Sequence, residues 1–223
     1  MVRKLDLETP VLIIGLGRFG AAAAGQLQRL DRDVLAIDTD ESLVQKWSER
    51  ITHTVQADAR SLEALQQVGA GTFQVAIVAV GTSVEASVLI TANLAELKVP
   101  QIWAKAISQS HGKILAKIGA NHVIYPEAEA GERIAHLVNG RMLDFIEFDE
   151  GYALAKMFPP PAVRGMTIAD ANLRKRYGVN VVGIKAAGED YIDPTPDTII
   201  TDHSAIVVSG RSADLERFAK LAR

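Results

Sequence analysis

The sequence contains no cysteine. Disulfides, thiolate nucleophiles and Cys-ligated zinc are thereby excluded, and nothing points to an oxidising compartment. There is no surplus of positive charge either. The 24 Lys and Arg stand against 27 Asp and Glu, a formal charge of -3, whereas a nucleic-acid binder normally carries a basic excess. No apolar run approaches the roughly 20 residues of a membrane span. The opening stretch MVRKLDLETP is charged and lacks the apolar segment of a signal peptide. A soluble, cytosolic protein is expected. Catalytic signatures are missing as well: no G-x-x-x-x-G-K-[ST] loop, no G-x-S-x-G elbow, and five scattered histidines (His53, His111, His122, His136, His203) that form no H-E-x-x-H or H-x-x-x-H pair. The acidic stretch Asp144, Glu147, Asp149, Glu150 lacks the calcium-loop pattern and reads as a solvated strand edge.

Against these absences stands one strong feature, VLIIGLGRFGAAAAGQLQRLDRDVLAID over residues 11–38. An apolar run leads into Gly15, Gly17 and Gly20 at G-x-G-x-x-G spacing, an Ala-rich helical stretch follows, and a second apolar run closes on Asp38. The first glycine permits a tight turn off the strand, the second lets a pyrophosphate approach the backbone, and the third lets helix and strand lie close. The free N–H groups at the helix start then face the phosphates. Asp38, at the tip of the second strand, is placed to accept hydrogen bonds from ribose hydroxyls. A strand before, a helix after and an acid at the next strand end together predict a nucleotide site. Arg18 lies inside the loop, where the fingerprint requires no cation. It could clamp a phosphate bidentately, reach a nucleotide held by a neighbouring subunit, or be a solvated arginine at a helix start. The unfavourable dipole there favours a functional role.

Strands are predicted at 11–14, 33–38, 53–57, 74–80, 101–105 and 122–125, with helices at about 18–29, 41–50, 61–68, 84–97 and 109–118. Short apolar strands alternating with helices predict a Rossmann-like α/β fold with a doubly wound parallel sheet over residues 1–126. In the fourth helix Val88, Thr91, Ala92 and Ala95 share a stripe, and Ser61 is placed to cap the third. Residues 127–143 read as one connecting helix with Ile134, Leu137, Val138 and Met142 along one side, either a packing helix or a connector offering its apolar face to another subunit. A second, smaller α+β domain is expected over 144–223. It comprises a strand pair at 144–149 and 152–158 around Glu150-Gly151, an irregular Pro159-Pro160-Pro161, a helix at 168–177, strands at 179–186 and 205–210, and a helix at 212–222.

A dehydrogenase would need a substrate pocket with a proton relay, and the second domain offers no such constellation. Binding without turnover fits the inventory best. The competing reading is an NAD-linked oxidoreductase, in which Asp38 would favour an unphosphorylated ribose; a third is a free-standing nucleotide sensor. Taken alone, Glu127 is a helix-start acid that complements the dipole.

Beyond this, the chain resembles the regulator-of-potassium-conductance (RCK, or KTN/TrkA-type) family over essentially its whole length, with the KtrA group nearest. The likeness rests on IGLGRFG at 14–20, AIDTDE at 36–41, ADA at 57–59, VAIVAVGTSVEASVL at 75–89, PQIWAKA at 100–106, KIGANHVIYPE at 117–127 and LRKRYGVNVVGIK at 173–185. The resemblance implies a cytoplasmic regulatory subunit at the inner face of the membrane. It would assemble as a homo-octameric ring of dimers beneath a potassium transporter subunit of the KtrB or TrkH kind, with no enzymatic activity. ATP and ADP would compete for a site drawn from Gly15, Gly17, Arg18, Phe19, Gly20, Asp38, Asp58, Ala59, Val80, Gly81, Lys105 and Glu127; such domains also accept NAD(H). In that setting Arg18 would meet the terminal phosphate, Asp38 the ribose, Asp58 and Ala59 the adenine and Lys105 the phosphates. Glu127 would act through a divalent cation or Na+, since a carboxylate beside phosphates needs a metal between them. Relatives also bind cyclic di-AMP between paired second domains, which would fall to Arg174 and Asn180.

Overall fold

Four consecutive aliphatic residues, Val11 to Ile14, form the centre of the first sheet in this computed structural model, which describes residues 9–148 and 151–221. Alternate side chains of a strand point to opposite faces, and here both faces are covered. Leu12 and Ile14 pack with Ile37, Val78, Ile90, Leu94 and Leu115 on one side. Val11 and Ile13 pack with Leu16, Ala24, Val34 and Ile51 on the other. A continuous apolar run is what such a position requires.

Around that strand, β1 (Val11–Ile14), the first unit runs α1 (Arg18–Arg29), β2 (Val34–Asp38), α2 (Glu41–Ser48), β3 (His53–Gln56), α3 (Leu62–Gln67), β4 (Val75–Val78), α4 (Val84–Glu96), β5 (Gln101–Lys105), α5 (Gln109–Ile118) and β6 (His122–Ile124). Among the described residues the strands order as β3-β2-β1-β4-β5-β6, all parallel, with Val11 paired to both Val34 and Val75. This is the doubly wound Rossmann order, and the direction of winding reverses between β1 and β4, where such folds open a crevice. In α4 the buried side is Ser87, Ile90, Thr91 and Leu94, one position away from the expected stripe; Val88 and Ala95 are only partly buried.

The chain divides into two compact units between Glu127 and Ala128. Spanning that point, α6 (Pro126–Val138) is shorter than expected. Gly140, at φ +71°, ends it in a left-handed turn. Met142 therefore leaves the helical stripe and enters the second core, while Ile134 and Val138 stay 56% and 79% exposed.

In the second unit β7 (Asp144–Glu147), β8 (Tyr152–Met157), β9 (Asn180–Lys185) and β10 (Ala205–Arg211) form an antiparallel sheet ordered β7-β8-β10-β9. Ala153, Ala155 and Met157 point inward with Ile206 and Val208 against Phe218 and Leu215 of α9 (Ser212–Lys220). The expected helix at 168–177 is broken by Asn172, in the left-handed region at φ 43° and ψ 47°, into α7 (Ile168–Ala171) and α8 (Leu173–Tyr177); asparagine tolerates that conformation better than most side chains. The third proline is not irregular, since Pro161 starts a short 3-10 turn over Pro161–Val163. Of the acidic stretch, Asp144 forms an ion pair with Arg133 and Glu147 accepts from Ser212, while Asp149 and Glu150 lie outside the described residues.

The close packing of α1 on the sheet makes a sharp prediction. A Cβ at Gly20 would overlap the Gly15 carbonyl oxygen and sit 2.9 Å from Ala79 Cβ, whereas one at Gly25 in the same helix would meet nothing within 4 Å. Gly20→Ala should cost about 3 kcal/mol or more through overpacking. Gly25→Ala should gain about 0.5–1 kcal/mol from the lower entropy cost of ordering alanine. Denaturant unfolding of the two variants, expected to shift in opposite directions, checks both.

Candidate functional site

The crevice at the winding reversal is a cleft of about 540 Å³. Its lining includes Gly15 and Gly17 from the loop after β1, Asp38 to Asp40 after β2, Ala57 to Arg60 after β3, Ala79 to Ser83 after β4, and Ala86 and Ile90 from α4. Every segment but α4 lies at the carboxyl end of a parallel strand, where successive loops can converge on one ligand.

The glycine loop is tight for a reason. Gly15 sits at φ +100°, a conformation L side chains rarely adopt, and its carbonyl lies directly under Gly20. Helix α1 can then begin at Arg18 with its N-terminus at the sheet. Its N-cap is Gly17, with no side-chain hydrogen bond and no acid in the first turn. The starts of α2, α3, α4 and α5 are instead capped by Asp40, Ser61, Ser83 and Ser108. At α1 the N–H groups remain available to an external acceptor.

Asp38 ties the loop together. Its Oδ2 accepts from the Leu16 N–H at 2.6 Å and its Oδ1 from the Asp40 N–H at 2.9 Å. Each oxygen keeps lone-pair capacity for a hydroxyl donor. Asp40 in turn accepts from the Ser42 N–H and hydroxyl, at 2.9 and 2.6 Å, which hold its carboxyl below the usual carboxylate range. This end of the cleft is anionic and suits a diol better than a phosphate.

Three strands along from Asp38, the end of β5 brings a cation beside the cleft. Lys105, at the end of β5, lies against Gly81, with its Cε and Nζ 3.1 Å from where a Cβ would stand. Its Nζ lies 6.0 Å from the Phe19 ring centroid and donates to Glu127 Oε1 at 2.5 Å. Lys105 is largely buried there, with 12% of its side chain exposed, against 65% for Glu127. That hydrogen bond, with a smaller contribution from the Arg18 charge, holds the Glu127 carboxyl below its ordinary value. No group of three or more His, Asp or Glu that could hold a metal occurs among the described residues. A cation at Glu127 would therefore have to draw ligands from a bound phosphate.

Of the residues expected from sequence, Gly15, Gly17, Asp38, Asp58, Ala59, Val80 and Gly81 line the cleft. Arg18, Phe19 and Gly20 form the first turn of α1, and Lys105 and Glu127 pair beside Gly81. Sequence reasoning missed Asp40 and Arg60. Asp40 carries a helix-capping signal, an acid followed by Glu41 and Ser42, and Arg60 follows Asp58 at i+2. In the second unit Arg174 and Asn180 line one shallow cleft of about 230 Å³ with Ile168, Asn172, Leu173 and Val181.

Sheet order and cleft define a Rossmann-type α/β protein joined to a smaller antiparallel-sheet unit. Residues 11–126 match the TrkA-N domain and residues 158–223 the TrkA-C domain, and the chain belongs to the family that carries this pair. It is 36% identical over 207 residues to Ktr system potassium uptake protein A of Bacillus subtilis (strain 168), covering 92% of this chain and 93% of the relative. It is 35% identical over 209 residues to protein C of the same system and organism, covering 93% and 95%. Among solved structures, the GsuK channel bound to NAD superposes with a TM-score of 0.64 at 17% identity, over 99% of this chain. This chain spans 40% of that channel's length, and the likeness is one of fold.

The Lys105–Glu127 pair sets a pH prediction. Because the folded carboxyl is depressed, the pair's contribution to stability is present above the ordinary glutamate value of 4.5 and is lost as pH falls through the folded value. Carbon-13 NMR titration should find Glu127 ionising below 4.5, and Lys105→Met should move that midpoint upward.

Proposed function

We propose that the chain is the nucleotide-binding regulatory subunit of a membrane potassium uptake system, with the glycine-loop cleft as its sensor and no reaction of its own. The observation that carries this reading is the polarity of the cleft. An open helix N-terminus with Arg18 and Lys105 nearby suits phosphates, and a paired Asp38 and Asp40 suits an unmodified ribose. The Ktr potassium uptake proteins among its relatives supply the physiological context. Among the described residues lining the cleft there is no histidine or tyrosine to relay a proton, which weighs against the NAD-linked oxidoreductase. NAD(H) remains a fitting ligand for a cleft of this polarity.

The regulatory pair is ATP and ADP. A ligand shifts an equilibrium only by what it touches differently in the two states, and the extra phosphate of ATP would meet Arg18, Lys105 and a cation held at Glu127. The subunit acts in the cytoplasm against the inner face of the membrane, as a homo-oligomer, an octameric ring of dimers bound to a KtrB- or TrkH-like transporter subunit. Among the described residues no helix is long and apolar enough to cross a membrane. The exposed Ile134 and Val138 on α6 support assembly, since apolar side chains on adjacent turns of one helix are a surface that a partner can cover. Calorimetry with ATP and ADP tests the sensor. Arg18→Ala should weaken ATP about tenfold more than ADP, roughly 1.4 kcal/mol, whereas equal losses would make Arg18 a general phosphate clamp.

In the second unit we assign the Arg174–Asn180 cleft to cyclic di-AMP, bound between two copies so that each presents the same groups to one half of the ligand. Arg174 would meet a phosphate and Asn180 an adenine edge. Titration of the full chain should give one ligand per two subunits, and Arg174→Ala should abolish the heat.

A further inference from the structure

We propose that Arg60 grips the nucleobase, its guanidinium serving as a stacking plate that Asp58 holds in place. This rests on the nucleotide reading above and names how that site recognises the third part of its ligand.

The position follows from the geometry of the cleft. Phosphates belong at the α1 N-terminus and the ribose at Asp38. The base must then lie beyond the ribose, where the lining passes to Ala57, Asp58, Ala59 and Arg60 after β3 and to Ala86 and Ile90 on α4. The aliphatic groups there supply one apolar wall. No aromatic ring is among the described residues lining the cleft, and Arg60 brings its only planar cation. A guanidinium offers a flat, weakly hydrated face to a base, which an ammonium does not.

The plate is held before any ligand arrives. Arg60 Nε donates to Asp58 Oδ1 at 2.9 Å and Oδ2 at 3.1 Å, and Nη2 donates to Oδ2 at 2.7 Å. The loop beneath it is fixed as well. The Arg60 N–H donates to Asp58 Oδ1 at 3.0 Å, and the Arg60 carbonyl accepts from Asn93 Nδ2 of α4 at 2.9 Å. Ordering a long side chain adds to the cost of binding, and these hydrogen bonds meet part of it in advance. Just over half of the Arg60 side chain is exposed, so a face is left for a base to cover.

Charge argues against the alternative of a second phosphate clamp. Asp58, and more weakly Glu85, raise the Arg60 guanidinium above its ordinary value, so its charge is matched locally. It also follows β3, the neighbour of the β2 strand that ends in Asp38, and lies four strands along the sheet from β5, which ends in Lys105. An exposed ion pair of this kind contributes little to stability.

Calorimetry of the full chain with AMP and with ribose 5-phosphate separates the base from the rest of the ligand. The wild-type chain should bind AMP more tightly. Arg60→Ala should weaken AMP about tenfold, within the usual range for loss of one base-stacking side chain, and leave ribose 5-phosphate unchanged. Arg60→Lys, which keeps the charge and most of the stem, should lose AMP to nearly the same extent. Equal losses for both ligands, no loss, or rescue by Arg60→Lys would overturn the proposal while leaving the nucleotide site intact. A wild-type chain that binds neither ligand would overturn the nucleotide reading itself, and this inference with it.

Discussion

The contact between the Gly20 Cα and the Gly15 carbonyl is the constraint on which the first unit depends. It sets how close α1 comes to β1, and so where the helix N-terminus points. With the helix seated, the loop between Gly15 and Gly17 is short enough for Asp38 to reach across and accept from Leu16. The same carboxylate then accepts from Asp40, and Asp40 caps α2. One missing side chain thus fixes the relative placement of two strands, two helix starts and one wall of the cleft. A larger residue at position 20 would displace every one of them.

The two units reach stability by different means. In the first, the strands are covered on both faces, so apolar residues run consecutively and the sheet itself is the centre of the core. In the second, one face of an antiparallel sheet packs against α9, and buried residues alternate with open ones, as at Ala153, Ala155 and Met157. A sheet buried on both faces leaves its strand ends as the natural place for a ligand, and the glycine-loop cleft is found there.

The sequence made the parallel sheet legible because uninterrupted aliphatic runs and glycine spacing are local signals, and β1, α1, β5 and α5 fall where those signals put them. The buried side of α4 was misjudged for a physical reason. Its centre holds Ser87 and Thr91, both small enough to pack there; the Thr91 hydroxyl donates to the Ser87 carbonyl at 2.8 Å within the helix, while the Ser87 hydroxyl is buried without a hydrogen-bond partner among the described residues. Helix ends were misjudged where single residues adopt left-handed conformations, at Gly140 and Asn172. In the site, the glycines and Asp38 announced themselves by spacing. Asp40 and Arg60 did not, because their importance comes from hydrogen bonds to neighbours and from loops that meet only in the folded chain. The pairing of Lys105 with Glu127 is of the same kind, joining the end of β5 to the first turn of α6.

Asp38 carries a lesson for anyone seeking to retarget the cleft. Exchanging an acid at this strand tip for a neutral or basic residue is the obvious route to accepting a phosphorylated ribose. Here both carboxylate oxygens already receive backbone donors from opposite sides, Leu16 on one and Asp40 on the other. Even the isosteric asparagine would turn an amide N–H₂ toward one of those N–H groups, donor against donor. The residue that selects the sugar is also the clasp of the loop, so selectivity at this position cannot be altered without loosening the fold that creates the site. Redesign would have to begin at Thr39 or Arg60, where side chains line the cleft without fastening the glycine loop.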